Sequence, residues 1–197
     1  MVARSFDTAD RGVQGVRRGT RARLFPAEHD MRYRLDVVAS TVIDVVRYAG
    51  GWLFDRAMAG WDVTVLVADH LDDRPLHILG AQTLDLECAL ASVATRPRPQ
   101  ALAAGADLFG CDPRVRRGVL QAIDHGVTEV TLWGESWPAE LEASVSRVLH
   151  PLSAAARTFK AAALAAAAAA PGAVDGSEIF RSGLVARDSV AADLVPA

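Results

Sequence analysis

The chain contains no asparagine, a single lysine (Lys160) against 20 arginines, and four isoleucines. Residues with AT-rich codons are scarce while alanine abounds, so the composition reports a GC-rich, actinobacterium-like bacterial genome before it reports any physics. An arginine cluster or an alanine run therefore carries less information here than elsewhere. Cysteine is sparse too. Cys88 and Cys111 stand far apart, no C-x-x-C spacing exists, and two isolated thiols build no disulfide framework. They read as reduced, mostly buried side chains. Long apolar runs are missing as well. The stretch from Leu35 to Trp61 is broken by Asp36, Asp44, Arg47, Asp55 and Arg56, and the run from Ala162 to Ala170 is too short to span a bilayer. No apolar segment of signal-peptide type follows the early arginines. These absences argue against a membrane span and a secretory leader, and the expected location is the cytoplasm.

Nor does the sequence hold G-x-G-x-x-G after a strand, G-x-x-x-x-G-K-[ST], G-x-S-x-G or H-E-x-x-H. No cofactor is implied. None of the five histidines has a second ligand at helical or hairpin spacing, so no metal site is expected. A net charge of −3 over 197 residues predicts neither a nucleic-acid binder nor a strongly acidic surface. Only the arginine-rich residues 1–30 would reach a nucleic acid, and a basic arm without a motif is weak ground for that.

What is present is a core. Half the residues are apolar, enough for one buried interior in a chain of this length. Residues 1–30 read as a disordered basic tail, with Met31 an alternative start; 31–170 read as one α/β domain; 171–197 read as a flexible C-terminal tail. Within the domain, Val38, Val42, Val45, Ala49 and Trp52 recur at helical spacing and predict a helix over 35–59. Gly50-Gly51 inside it predicts a kink, a break or the close approach of another chain segment. Residues 62–68 read as a buried strand and 76–80 as a second. The link between them is too short for a parallel crossover, so they are expected to form an antiparallel hairpin. Residues 83–94 fit strand or helix, with helix favoured, and 99–109 read as a short helix. Asp112-Pro113 opens a helix that Gly126 closes. A third strand follows at 127–133. Further helices are expected from Ser136 or Trp137 to Leu152 and from there to Pro171. The expected architecture is α/β (α+β): a small three-stranded mixed sheet, one β hairpin plus one crossover strand, packed with about five to six helices. Its narrow sheet with exposed edges favours a homodimer or other homo-oligomer.

Two places could carry chemistry. Asp69 and His70 end the first strand, where functional loops cluster. Trp133, Gly134, Glu135, Ser136 and Trp137 lie at a strand end and a helix start, the ligand-facing edge of α/β sheets. Capping of the helix by Ser136 and core packing of Trp133 account for the second group equally well. His77, His125 and Cys111 have ordinary structural explanations. With no convergent polar constellation, the chain reads first as a non-enzymatic protein-binding or regulatory module. The alternative is a small-molecule-binding domain or small enzyme using strand ends 69–70 and 134–137.

Overall fold

The computed structural model describes residues 32–69, 72–92, 96–134, 141–142, 144–170, 172–183 and 193–197; the basic segment 1–31 lies outside them. The chain forms β1 (Arg34–Thr41), α1 (Val42–Met58), β2 (Asp62–Asp69), α2 (Arg74–Ile78), β3 (Gln82–Asp85), α3 (Leu86–Ala91), β4 (Ala101–Gly105), α4 (Ala106–Cys111), α5 (Pro113–His125), β5 (Glu129–Trp133), β6 (Ser146–Pro151), α6 (Ala154–Ala166), β7 (Ser177–Gly183) and β8 (Val195–Pro196). The eight strands make one mixed sheet in the order β3-β2-β1-β4-β5-β7-β6-β8. The first five run parallel, and β7, β6 and β8 add antiparallel pairings.

The expected three-stranded sheet is thus replaced by one of eight, and each change has a local cause. Residues 34–41 are a central strand buried on both faces, so their apolar run shows no alternation. Thr41 then caps α1, accepting the Asp44 N–H. The helical spacing from Val42 onward is real; Val38 only happened to extend it backward. Residues 76–80 fall in and just after α2, which has Pro75 in its first turn, rather than in a strand. The second strand is instead β3, which is paired parallel to β2. About a dozen residues separate Asp69 from Gln82, the length a parallel crossover needs, so the hairpin does not exist. Residues 101–105 are strand, not helix, because alanines suit a position packed between helices on both sides. Residues 146–151 pair with β7, so Val148, His150 and Pro151 belong to a strand, and 177–183, expected in a flexible tail, form a strand of the sheet.

Helices cover both faces. Leu35, Val37, Ala39, Val63 and Val65 pack under α1, α2 and α6, whereas Val38, Leu66, Ala104, Val130 and Leu132 pack under α3, α4 and α5. Gly50 and Gly51 lie inside a continuous α1. A side chain at 51 would meet Leu152 at 2.5 Å, so the pair marks close approach. The premise for self-association also changes. The sheet edges are β3 and β8, of four and two residues, and short edge strands resist edge-to-edge pairing.

α5 has the predicted ends. Asp112 accepts from Arg114 N–H and Val115 N–H, Pro113 opens the helix, and Gly126 closes it at φ 63°. The Arg114 guanidinium and these amides hold the Asp112 carboxyl at about 2. Asp112→Ala should cost about 1 kcal/mol. A carboxyl whose folded pKa lies below its unfolded value stabilises above the unfolded pKa and loses that contribution as pH falls. The difference between parent and variant in urea unfolding should therefore shrink from about pH 4 toward about pH 2.

Candidate active site

The sheet reverses its winding between β1 and β4. From β1 the chain crosses by α1 to β2 and onward to β3; it then returns to the other side of β1 as β4. Such a reversal opens a crevice outside the carboxyl ends of the two strands, because their connections leave toward opposite faces. Here those ends are Ser40-Thr41 and Gly105-Ala106-Asp107.

Two hydroxyl–carboxylate pairs occupy the crevice. Ser40 Oγ donates to Asp107 Oδ2 at 2.7 Å. Thr41 Oγ1 donates to Asp44 Oδ2 at 2.6 Å while accepting the Asp44 N–H. The glycine before α4 is required by this geometry. A Cβ at Gly105 would lie 2.6 Å from Asp107 Oδ1 and 3.6 Å from the Trp133 ring. Gly134 follows β5 at φ 132°, a conformation open to glycine. A Cβ there would sit 3.0 Å from that of Ala106, so the end of β5 is pressed against the residue before Asp107.

Cavities flank the crevice on both sides of the start of α1. One of about 420 Å³ lies beyond Gly134, among Arg47, Tyr48, Arg147 and Arg181. Another of about 400 Å³ is lined by Thr41, Val42 and Ile43 with Asp72, Arg74 and the end of α6. Arg74 is held by the Asp72 carboxylate at 2.6 Å. That contact draws the Asp72 carboxyl below its ordinary value.

Of the residues singled out from sequence, Asp69 ends β2 in register with Thr41, so its backbone reaches the same edge. Gly134 reaches it from β5. Two strands lie between β2 and β5, so these ends stand roughly 14 Å apart at ordinary strand spacing and do not meet. Trp133 is 2% exposed and belongs to the core. His70, Glu135, Ser136 and Trp137 lie outside the described residues. What occupies the space between the two candidate ends is Ser40, Thr41, Asp44 and Asp107, which sequence reasoning passed over. Their signal was the S/T-x-x-D pattern at Thr41 and Asp44, hidden because 35–59 read as one helix.

The remaining polar candidates are placed elsewhere. His77 is an exposed residue of α2 beside Asp73. His125 ends α5. His150 is buried in β6 between Asp55 and the Asp193 backbone. Cys88 and Cys111 are exposed rather than buried, and Asp85 pushes the Cys88 thiol up. Among the described residues no group of three or more His, Cys, Asp or Glu side chains could hold a metal ion, and no helix is long and apolar enough to cross a membrane.

No protein-family model matches the chain, and no curated protein matches it. Solved structures do share its fold. A deacetylase of the teicoplanin biosynthesis pathway, solved in complex with teicoplanin, is 14% identical over 76% of this chain and 97% of its own, with a TM-score of 0.54. A triple mutant of a deacetylase involved in the teicoplanin biosynthetic pathway is 14% identical over 76% and 96%, with a TM-score of 0.52. A deacetylase of the A40926 pseudoaglycone, described as an antimicrobial reagent, is 17% identical over 80% and 100%, with a TM-score of 0.51. At such identities the likeness is one of fold. It nevertheless removes the basis of the first functional reading. The expectation of a non-enzymatic binding or regulatory module rested on the lack of a convergent polar constellation, whereas Ser40 and Asp107 converge at the strand-end crevice and the solved structures that share the fold are deacetylases.

Proposed function

We propose that the chain is a hydrolytic enzyme that removes an acyl group from a small molecule in the crevice between β1 and β4. The observation that carries this reading is the Ser40–Asp107 hydrogen bond at the point where the sheet reverses. The deacetylases on the same fold support the reaction class. Acyl transfer to water needs a base for the attacking water, donors for the oxyanion and a proton for the leaving group. Asp107 takes the first role, fixed by Ser40 on one oxygen. The first backbone amides of α1 open on the same edge and suit the second. The proton taken by Asp107 passes to the departing amine or alcohol, so water and acyl compound yield a carboxylic acid and the free amine or alcohol. Asp69 and His70, and Glu135, Ser136 and Trp137, follow β2 and β5 directly in sequence and are proposed as the flanks of this edge. The cytoplasm remains the proposed location.

The test is release of acetate from a panel of N-acetylated and O-acetylated small molecules by the full chain, followed by proton NMR. Asp107→Asn should lower kcat roughly a hundredfold, and thermal unfolding should show the variant folded. Equal turnover by parent and variant would overturn the assignment of Asp107. A folded parent that releases no acetate from any member of the panel would overturn the hydrolase itself.

A further inference from the structure

The cavity beyond Gly134 is basic in a chain whose net charge is negative. Arg47 reaches it from α1 and Arg147 from β6, and neither is held by a carboxylate among the described residues. Arg147 lies directly opposite Arg181 on β7. Deeper in the cavity, Lys160 and Glu178 are 7% and 5% exposed and neutralise one another at 2.6 Å. Their charges cancel, so among the described residues the positive charge left to meet an anion is that of Arg47 and Arg147, with Asp175 also on the lining. A guanidinium forms paired, charge-assisted hydrogen bonds with the two oxygens of a carboxylate or phosphate. A cavity of about 420 Å³ is within the size range of small-molecule sites.

The cavity is also joined to the crevice. Gly134 lines it and presses on Ala106, the residue before Asp107. We infer that the site takes an anionic small molecule, its phosphate or carboxylate group held by Arg47 and Arg147 beside Gly134 and its acyl group directed toward Asp107. The anion site stands on the cavity alone; the direction of the acyl group rests on the hydrolase reading above.

The experiment is amide NMR of the full chain titrated with inorganic phosphate, benzoate and the neutral benzamide. Phosphate, benzoate or both should shift the Gly134 and Ser177 amides, and benzamide should not. Which anion binds tells phosphate from carboxylate recognition. Arg47→Gln and Arg147→Gln should each weaken binding roughly tenfold, and both arginines are exposed enough for the variants to fold. Absence of shifts at these amides, benzamide binding as tightly as benzoate, or unchanged affinity in the double variant would overturn the inference. Asp107→Asn should bind the anion as the parent does. Anion binding without acetate release from any substrate would remove the hydrolase and leave the anion site standing. Equal hydrolysis of neutral and anionic acetylated substrates would leave the hydrolase standing and overturn the inference that the bound anion directs its acyl group toward Asp107.

Discussion

Replacement of Lys160 by methionine should destabilise the protein by about 3–5 kcal/mol, the range seen when one partner of a buried ion pair is removed. Glu178 reaches from β7 into the middle of α1, where its two oxygens accept from Gly51 N–H and Trp52 N–H at 2.8 Å each. Lys160, from α6, donates to Glu178 at 2.6 Å and to the Arg47 carbonyl at 2.6 Å. In a regular helix Gly51 N–H and Arg47 C=O are each other's partners. The ion pair therefore packs against this stretch of α1 and gives Gly51 N–H, Trp52 N–H and Arg47 C=O side-chain partners. Burial pushes the Glu178 carboxyl up, and Lys160 and the two amides oppose that rise. Without Lys160 a carboxylate remains in the interior with no counter-charge. The double variant Lys160→Met/Glu178→Met removes both charges and leaves the amides and carbonyl to the backbone bonds of the helix. It should recover more than half of the loss in urea unfolding, a coupling of about 2–3 kcal/mol. A single variant costing less than about 1 kcal/mol, or a double variant no better than the single, would show that the pair does not hold the helix.

Contacts from segments distant in sequence, like this ion pair, separate the parts of the fold that the sequence disclosed from those it did not. Elements with a local chemical signature were legible. α5 begins at Asp112-Pro113 and ends at Gly126, and β2 and β5 are rich in β-branched residues. Elements whose state depends on what covers them were not. Arg34–Thr41 and Ala101–Gly105 are strands because helices pack on both their faces, which erases the alternation that marks a half-exposed strand. Val148 and Leu152, in and just after Ser146–Pro151, have a spacing that also fits a helix; only pairing with Ser177–Gly183 decides it, and that partner is distant in sequence. Gly50-Gly51 left a kink, a break and the close approach of another backbone open. What the structure has is close approach by side chains, Leu152 from just after β6 and Glu178 from β7, which required the sheet to be known. The candidate site followed the same pattern. The strand ends at Asp69 and Gly134 were found because a polar or glycine residue follows an obvious strand. Ser40 and Asp107 were missed because they lie at or just beyond the ends of the two strands that looked like helices, and the crevice exists only through the strand order around them.

Arg56→Met should be the other severe lesion, and its size should depend on pH. Arg56 is 2% exposed. It donates to Asp193 at 2.7 and 2.8 Å and to Glu129 at 3.3 Å, and it lies over the Trp61 ring at 4.1 Å and the Trp52 ring at 5.1 Å. Trp52 Nε1 donates to the same Asp193 carboxylate, which ties β5, α1 and the segment before β8 at one end of the sheet. Burial already pushes the Glu129 carboxyl up, and Arg56 is the main influence holding it down. Loss of the guanidinium leaves Glu129 buried without a counter-ion, at a cost of about 3–5 kcal/mol near neutral pH. A carboxyl with a raised folded pKa binds its proton more tightly in the folded state, so stability falls as pH rises from the unfolded pKa through the folded one. Removal of Arg56 raises that folded value further. The penalty should therefore shrink as the medium is acidified. Asp55, His150 and Asp193 lie beside this cluster, so a second variant isolates the source. Arg56→Met/Glu129→Gln should keep the loss of stacking and of the Asp193 contacts but lose the part of the pH dependence that Glu129 supplies. Urea unfolding of both variants between about pH 5 and about pH 7.5 reads the difference. A penalty for Arg56→Met that is the same at both ends of that range would mean that Glu129 is not the group Arg56 holds in its charged form.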